Sequence, residues 1–142
     1  MHLRVVTPHG VVMDEGAASV ALWTAQGEIE VLRGHAPTVV LLEPGEMRVR
    51  GDVAGAERVF AAGEGFARID QGSVTIFSDM AEDTEGITLE AEQEAKSRAE
   101  KALAEVRNMT EDERQAAELA LRESLARIQI LLRRKDRQHP GV

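Results

Sequence analysis

The apolar pattern of this chain changes period once, near residue 86, and that change decides what the chain can fold into. Before it, apolar residues recur at every second position; after it, at every third or fourth. A period of two belongs to half-buried strands and a period near 3.6 to amphipathic helices. Alternation is clear in "SVALWTA", where Val20, Leu22 and Thr24 face one way and Ser19, Ala21 and Trp23 the other. It recurs in "EMRVR", with Met47 and Val49 against Glu46, Arg48 and Arg50, and in "SVTIFS", with Val74 and Ile76 opposite Thr75 and Phe77. Turn signals separate such runs throughout: Pro8-His9-Gly10, Gln26-Gly27, Gly34 to Pro37, Pro44-Gly45, Gly51-Asp52, Gly63-Glu64-Gly65 and Asp70-Gln71-Gly72. Many short strands at this spacing predict a sandwich or barrel.

Past "AEDTEG", Thr88 is placed to cap a helix whose first turn holds Glu90 and Glu92, as the helix dipole favours. Ala95, Ala99, Ala102, Leu103 and Val106 form its apolar face, which stops near Arg107-Asn108. Thr110 and Glu113 make a T-x-x-E capping box for a second helix, with the stripe Ala117, Leu121, Leu125, Ile128 and Leu132. Extended to Arg134, that helix spans about 36 Å. A short connection predicts an antiparallel pair. The expected fold class is α+β, mainly β then α: an antiparallel β-sandwich over residues 1–86, then an α-helical hairpin over 87–142.

Charge and chemistry narrow the function. The formal net charge of −8 repels nucleic acid. No window reaches the ~18 apolar residues of a membrane span, and "MHLRVVTPHG" lacks the apolar core of a signal peptide. The expectation is a soluble chain that meets a membrane only through a partner. With no cysteine, thiolate nucleophiles and cysteine-based zinc sites are excluded. His2, His9, His35 and His139 are too scattered for a metal motif, and no nucleophile or phosphate-loop signature occurs. The chain is therefore expected to have no catalytic residue, no cofactor and no metal. Residues 122–137 carry 6 Lys or Arg against 2 Asp or Glu, a basic end on an acidic protein. Cations at a helix C-terminus are favoured by the dipole, and an acidic protein surface is the partner they suit.

One segment is more specific. Gly27-Glu28-Ile29-Glu30-Val31-Leu32-Arg33-Gly34-His35-Ala36-Pro37, followed by Leu42, Pro44 and Gly45, resembles the epsilon subunit of the F-type rotary ATP synthase, called delta in mitochondria. That family carries G-E-x-x-[IV]-L-P-G-H-A-P and then L-x-P-G. Val6-Thr7-Pro8 is similar to its first turn, Gly63-Glu64-Gly65-Phe66 to its G-G-F turn, and Val74 to Glu82 to its last strand. The resemblance implies a central-stalk subunit, peripheral on the cytoplasmic face of the inner membrane in the catalytic sector. It implies the gamma subunit, the c-subunit ring and the alpha/beta head as partners. Gly27, Glu28, Gly34 and His35 are then expected on the c-ring and gamma side, with His35 a turn residue whose exit Pro37 fixes. Arg122, Arg127, Arg133 and Arg134 are expected to meet an acidic surface of beta when the hairpin inhibits ATP hydrolysis. Arg33 and Trp23 stand where the family has proline. Thr88 and Ala91 stand where some members place the Asp and Arg of an ATP-binding I-D-x-x-R-A motif, so no nucleotide is expected here. Without the resemblance, the residues also fit a soluble adaptor that binds through its β domain and regulates another enzyme through a coiled-coil hairpin.

Overall fold

Ten short strands occupy the first part of the chain: β1 (His2–Thr7), β2 (Gly10–Gly16), β3 (Ser19–Thr24), β4 (Gly27–Leu32), β5 (Thr38–Leu42), β6 (Gly45–Arg50), β7 (Glu57–Ala62), β8 (Gly65–Asp70), β9 (Ser73–Ser78) and β10 (Ala81–Asp83). Two helices follow, α1 (Leu89–Ala104) and α2 (Glu111–Gln138). The computed structural model describes residues 1–54, 56–105 and 109–138, with side chains through residue 133. Val106, Arg107, Asn108, His139 and the side chain of Arg134 lie outside the described residues. The chain divides into two compact units between Glu85 and Gly86.

The strands form one hydrogen-bonded path, β10-β7-β6-β3-β5-β8-β9-β1-β2, with β4 on the other edge of β3. The path turns over at β3. Its first residues pair with β6 (Ser19 with Arg50) and its last with β5 (Thr24 with Leu42). Its inner side is an apolar core, aliphatic apart from Phe60 and methionines, that includes Leu3, Val5, Val20, Leu22, Met47, Val49, Ile69, Val74 and Ile76. These are the inward positions that the alternation predicts in β3, β6 and β9. β3 is buried at five of its six residues, Ser19 and Ala21 included, so it is covered on both faces and its alternation is hidden.

Two features depart from the sequence pattern. β1 runs parallel to β9, His2 beside Ser73, whereas the other pairings are antiparallel. The segment "AEDTEG" also opens with a strand, because Ala81, Glu82 and Asp83 pair with Ala62, Ala61 and Phe60 of β7. Three residues are too few to show a period.

In the helical unit the local signals hold. Thr88 caps α1, its hydroxyl accepting from the Ala91 amide at 3.2 Å. Thr110 and Glu113 form the capping box in both directions, at 3.2 and 3.4 Å. At 28 residues α2 is about 42 Å long. Among its described side chains the buried ones are Ser124 and Ile130, whereas the predicted stripe members Leu125 and Leu132 are exposed. No described helix is long and apolar enough to cross a membrane.

Candidate functional site

Strand registers gather five turns at one end of the sandwich. Thr24 lies beside Leu42, Leu42 beside Gly65, and Gly65 beside Ser78. The turns after β3, β5, β7 and β9 therefore meet there, together with the β1–β2 turn at the far end of β1. Cross-turn hydrogen bonds fix the arrangement. The Glu43 amide donates to Trp23 O at 3.1 Å and the Asp79 amide to Glu64 O at 2.9 Å. The buried Ser78 hydroxyl accepts from the Gly63 amide at 3.1 Å. These turns carry Glu43, Glu64 and Asp79 but no lysine or arginine, so this end is acidic.

Gly27 and Glu28 belong to this end. Gly27 opens β4 with φ of 112°, and its carbonyl accepts from the Thr24 hydroxyl at 2.8 Å. Glu28 is ion-paired with Arg48 of β6. Gly34 and His35 sit past the other end of β4, about 20 Å away along a six-residue strand. The structure thus does not bring the four residues together. Gly34 has φ of 85°, a left-handed backbone that makes glycine the suitable residue. His35 Nδ1 lies 2.8 Å from Ala36 O. A carbonyl only accepts, so this nitrogen donates, and the ring is held as a turn element.

The least expected feature is a row of apolar side chains on the outside of the sheet. Leu41 pairs with Phe66, Phe66 with Phe77, Phe77 with Val6, and Val6 with Val11, so one line crosses β5, β8, β9, β1 and β2. Leu41 is 75 % exposed and Phe66 42 %; Phe77 and Val11 are also exposed, and Val39 extends the patch along β5. The Phe66 and Phe77 rings stack with centroids 4.9 Å apart. A contiguous exposed apolar patch of this kind marks an interaction surface. Phe77 was visible in the sequence, on the opposite phase from Val74 and Ile76. Its alignment with Leu41, Phe66 and Val11 depends on registers between strands distant in sequence. A β-bulge contributes to that register: Val5 faces Met13 and Val6 faces Val11, leaving Val12 as the extra residue.

The basic residues of α2 are not equivalent. Arg122 is exposed and Arg133 half-buried. Arg127 is drawn against Glu92 of α1 at 3.7 Å and Glu123 of α2 at 3.4 Å. Ala91 has no charged group, and the Thr88 hydroxyl is engaged in the α1 cap. Among the described residues no three His, Asp or Glu side chains form a metal-binding group.

Residues 1–84 match the family model described as the ATP synthase, Delta/Epsilon chain, beta-sandwich domain. The ATP synthase epsilon chain of Desulfitobacterium hafniense is 41 % identical over 128 residues, covering 89 % of this chain and 92 % of that protein. The epsilon chain of Lacticaseibacillus casei is 32 % identical over 132 residues, covering 92 % of both. A chain in the cryo-EM structure of the Euglena gracilis mitochondrial ATP synthase, OSCP/F1/c-ring in rotational state 1, superposes with a TM-score of 0.61 at 27 % identity. It covers 84 % of this chain and 73 % of that one. A chain of the Tetrahymena thermophila mitochondrial ATP synthase central stalk and c-ring shares the fold, with a TM-score of 0.57 at 17 % identity over 90 % of this chain and 92 % of that one.

Proposed function

The chain belongs to the ATP synthase epsilon-chain family, and from that membership we propose that it joins the rotating shaft to the c ring, makes no bond itself, and restrains ATP hydrolysis through its hairpin. A joint of this kind must hold two partners at once, so it needs two surfaces of different chemistry on one rigid body. The sandwich offers them. The row Leu41, Phe66, Phe77, Val6 and Val11 suits an apolar face of gamma. The acidic end around Glu43, Glu64 and Asp79, with the Glu28–Arg48 pair beside it, suits basic loops of the ring. His35 and Gly34, at the opposite end of β4, belong to the gamma side in this reading. The alpha/beta head is reached only by the hairpin, and a membrane only through the ring.

The observation that carries the proposal is the apolar row. Burying two aromatic rings and three aliphatic side chains in a partner is favourable at about 25 cal/mol per Å² of apolar area, and exposed in isolation the row serves no packing purpose. The test is retention of the gamma subunit by the Phe66→Glu and Leu41→Asp variants. Both positions point outward, so the variants keep a native circular dichroism spectrum and lose gamma. Native retention of gamma by both would overturn the assignment of this face.

A further inference from the structure

The closed hairpin holds a charge cluster that its apolar residues do not explain. No residue of α1 is buried, so α1 brings no buried apolar side chain to α2. Its Glu92 is nonetheless only 14 % exposed at the side chain, and Arg127 of α2 only 16 %. Glu92 Oε2 is shielded from solvent and accepts no hydrogen bond. What compensates it is the Arg127 guanidinium at 3.7 Å, which also donates to Glu123 Oε2 at 3.4 Å. A largely buried carboxylate that depends on one cation across a helix interface is costly once that cation leaves. Separating the helices exposes all three charges to water, where each is solvated.

We propose that Glu92, Glu123 and Arg127 form an ionic latch that holds the hairpin closed, so that ionic strength biases the closed state against the open one. This rests on the reading that the hairpin opens in order to act, and it adds what restrains the opening. It also sets Arg127 apart from its basic neighbours: the residue that stabilises the closed state is the one that must let go. Glu92 lies one turn into α1 beside Ala91. The start of α1 thus carries an internal charge contact to α2, with Thr88 committed to the helix cap.

The test uses the full chain, which has no cysteine of its own. Spin labels at Ser97→Cys on α1 and Gln129→Cys on α2, both exposed, report the interhelical distance. The native chain should show a short distance at low salt and gain a long-distance population in 1 M KCl. Glu92→Gln and Arg127→Gln should each raise the long-to-short ratio at low salt by roughly threefold to tenfold, the range of a close charge pair, and abolish the salt response. The triple exchange Glu92→Arg, Glu123→Lys and Arg127→Glu rebuilds the cluster with signs reversed and should restore the short distance. Unchanged distances in both neutral variants, at native helix content, would overturn the latch; so would a triple exchange that folds but stays open. The measurement involves no catalytic subunit, so its failure is separable from failure of the hairpin as a brake, which is read on ATP hydrolysis.

Discussion

Gly65 shows how a single residue is chosen by a neighbour the local sequence does not reveal. A Cβ there would run into the carbonyl of Phe77 on the adjacent strand, a backbone atom with no freedom to move aside. The sequence reads Gly63-Glu64-Gly65 as a turn, which it is, but the requirement for glycine at 65 comes from β9, not from the turn. We predict that Gly65→Ala destabilises the sandwich by about 1–3 kcal/mol, the range for overpacking a well-packed site. A lower urea midpoint at unchanged m would record it; a midpoint within error of the native one would show that the strands separate without cost. Gly45 has the same relation to the Trp23 side chain, against which its Cβ would fall. The apolar row passes next to Gly65, so a small shift of β8 against β9 would also disturb the Phe66–Phe77 stack.

Helices state their ends locally and their faces only in context. Both caps were readable because Thr88 with Ala91, and Thr110 with Glu113, lie three residues apart, and the bonds they make are within one turn. The buried face of α2 was not readable in the same way. Apolar spacing selects Leu125 and Leu132, yet both are exposed, and the buried Ser124 lies among residues that spacing alone would leave to solvent. That leaves Leu119, Leu125 and Leu132 as exposed apolar side chains on one helix. A hairpin that opens onto gamma and beta would use them. We predict that deleting residues 110–142 raises ATP hydrolysis by the assembled enzyme and leaves its assembly intact. Arg122→Ala and Arg133→Ala should give part of that rise, and the effect at the exposed Arg122 should shrink at high salt, where exposed charges are screened. Arg127 is excluded from that pair because its loss also frees the latch. Hydrolysis rates unchanged in every variant would leave the basic end with only its dipole role.

At the scale of the whole molecule, the two-period pattern separated a β unit from a helical one, and the structure divides at Glu85 and Gly86. What the pattern did not contain is which strands are neighbours. The meeting of five turns at one acidic end, and of five strands in one apolar row, is a property of topology. The β unit encloses its own core cluster, all of whose members lie before residue 82. We predict that residues 1–85 alone melt cooperatively with β-type circular dichroism; a chain disordered without its helices would refute this. The parallel pairing of β1 with β9 has a consequence for how the protein is made. β1 must wait for a partner made some seventy residues later, since His2 lies beside Ser73. Until then β1 and β2 form an isolated two-stranded ribbon, which is marginal in water, and Leu3 and Val5 have no cover. Contacts this distant in sequence slow folding, and chains that stall before β9 expose apolar residues that promote aggregation. Synthesis of this chain thus has a vulnerable interval that closes only when Val74 and Ile76 have emerged.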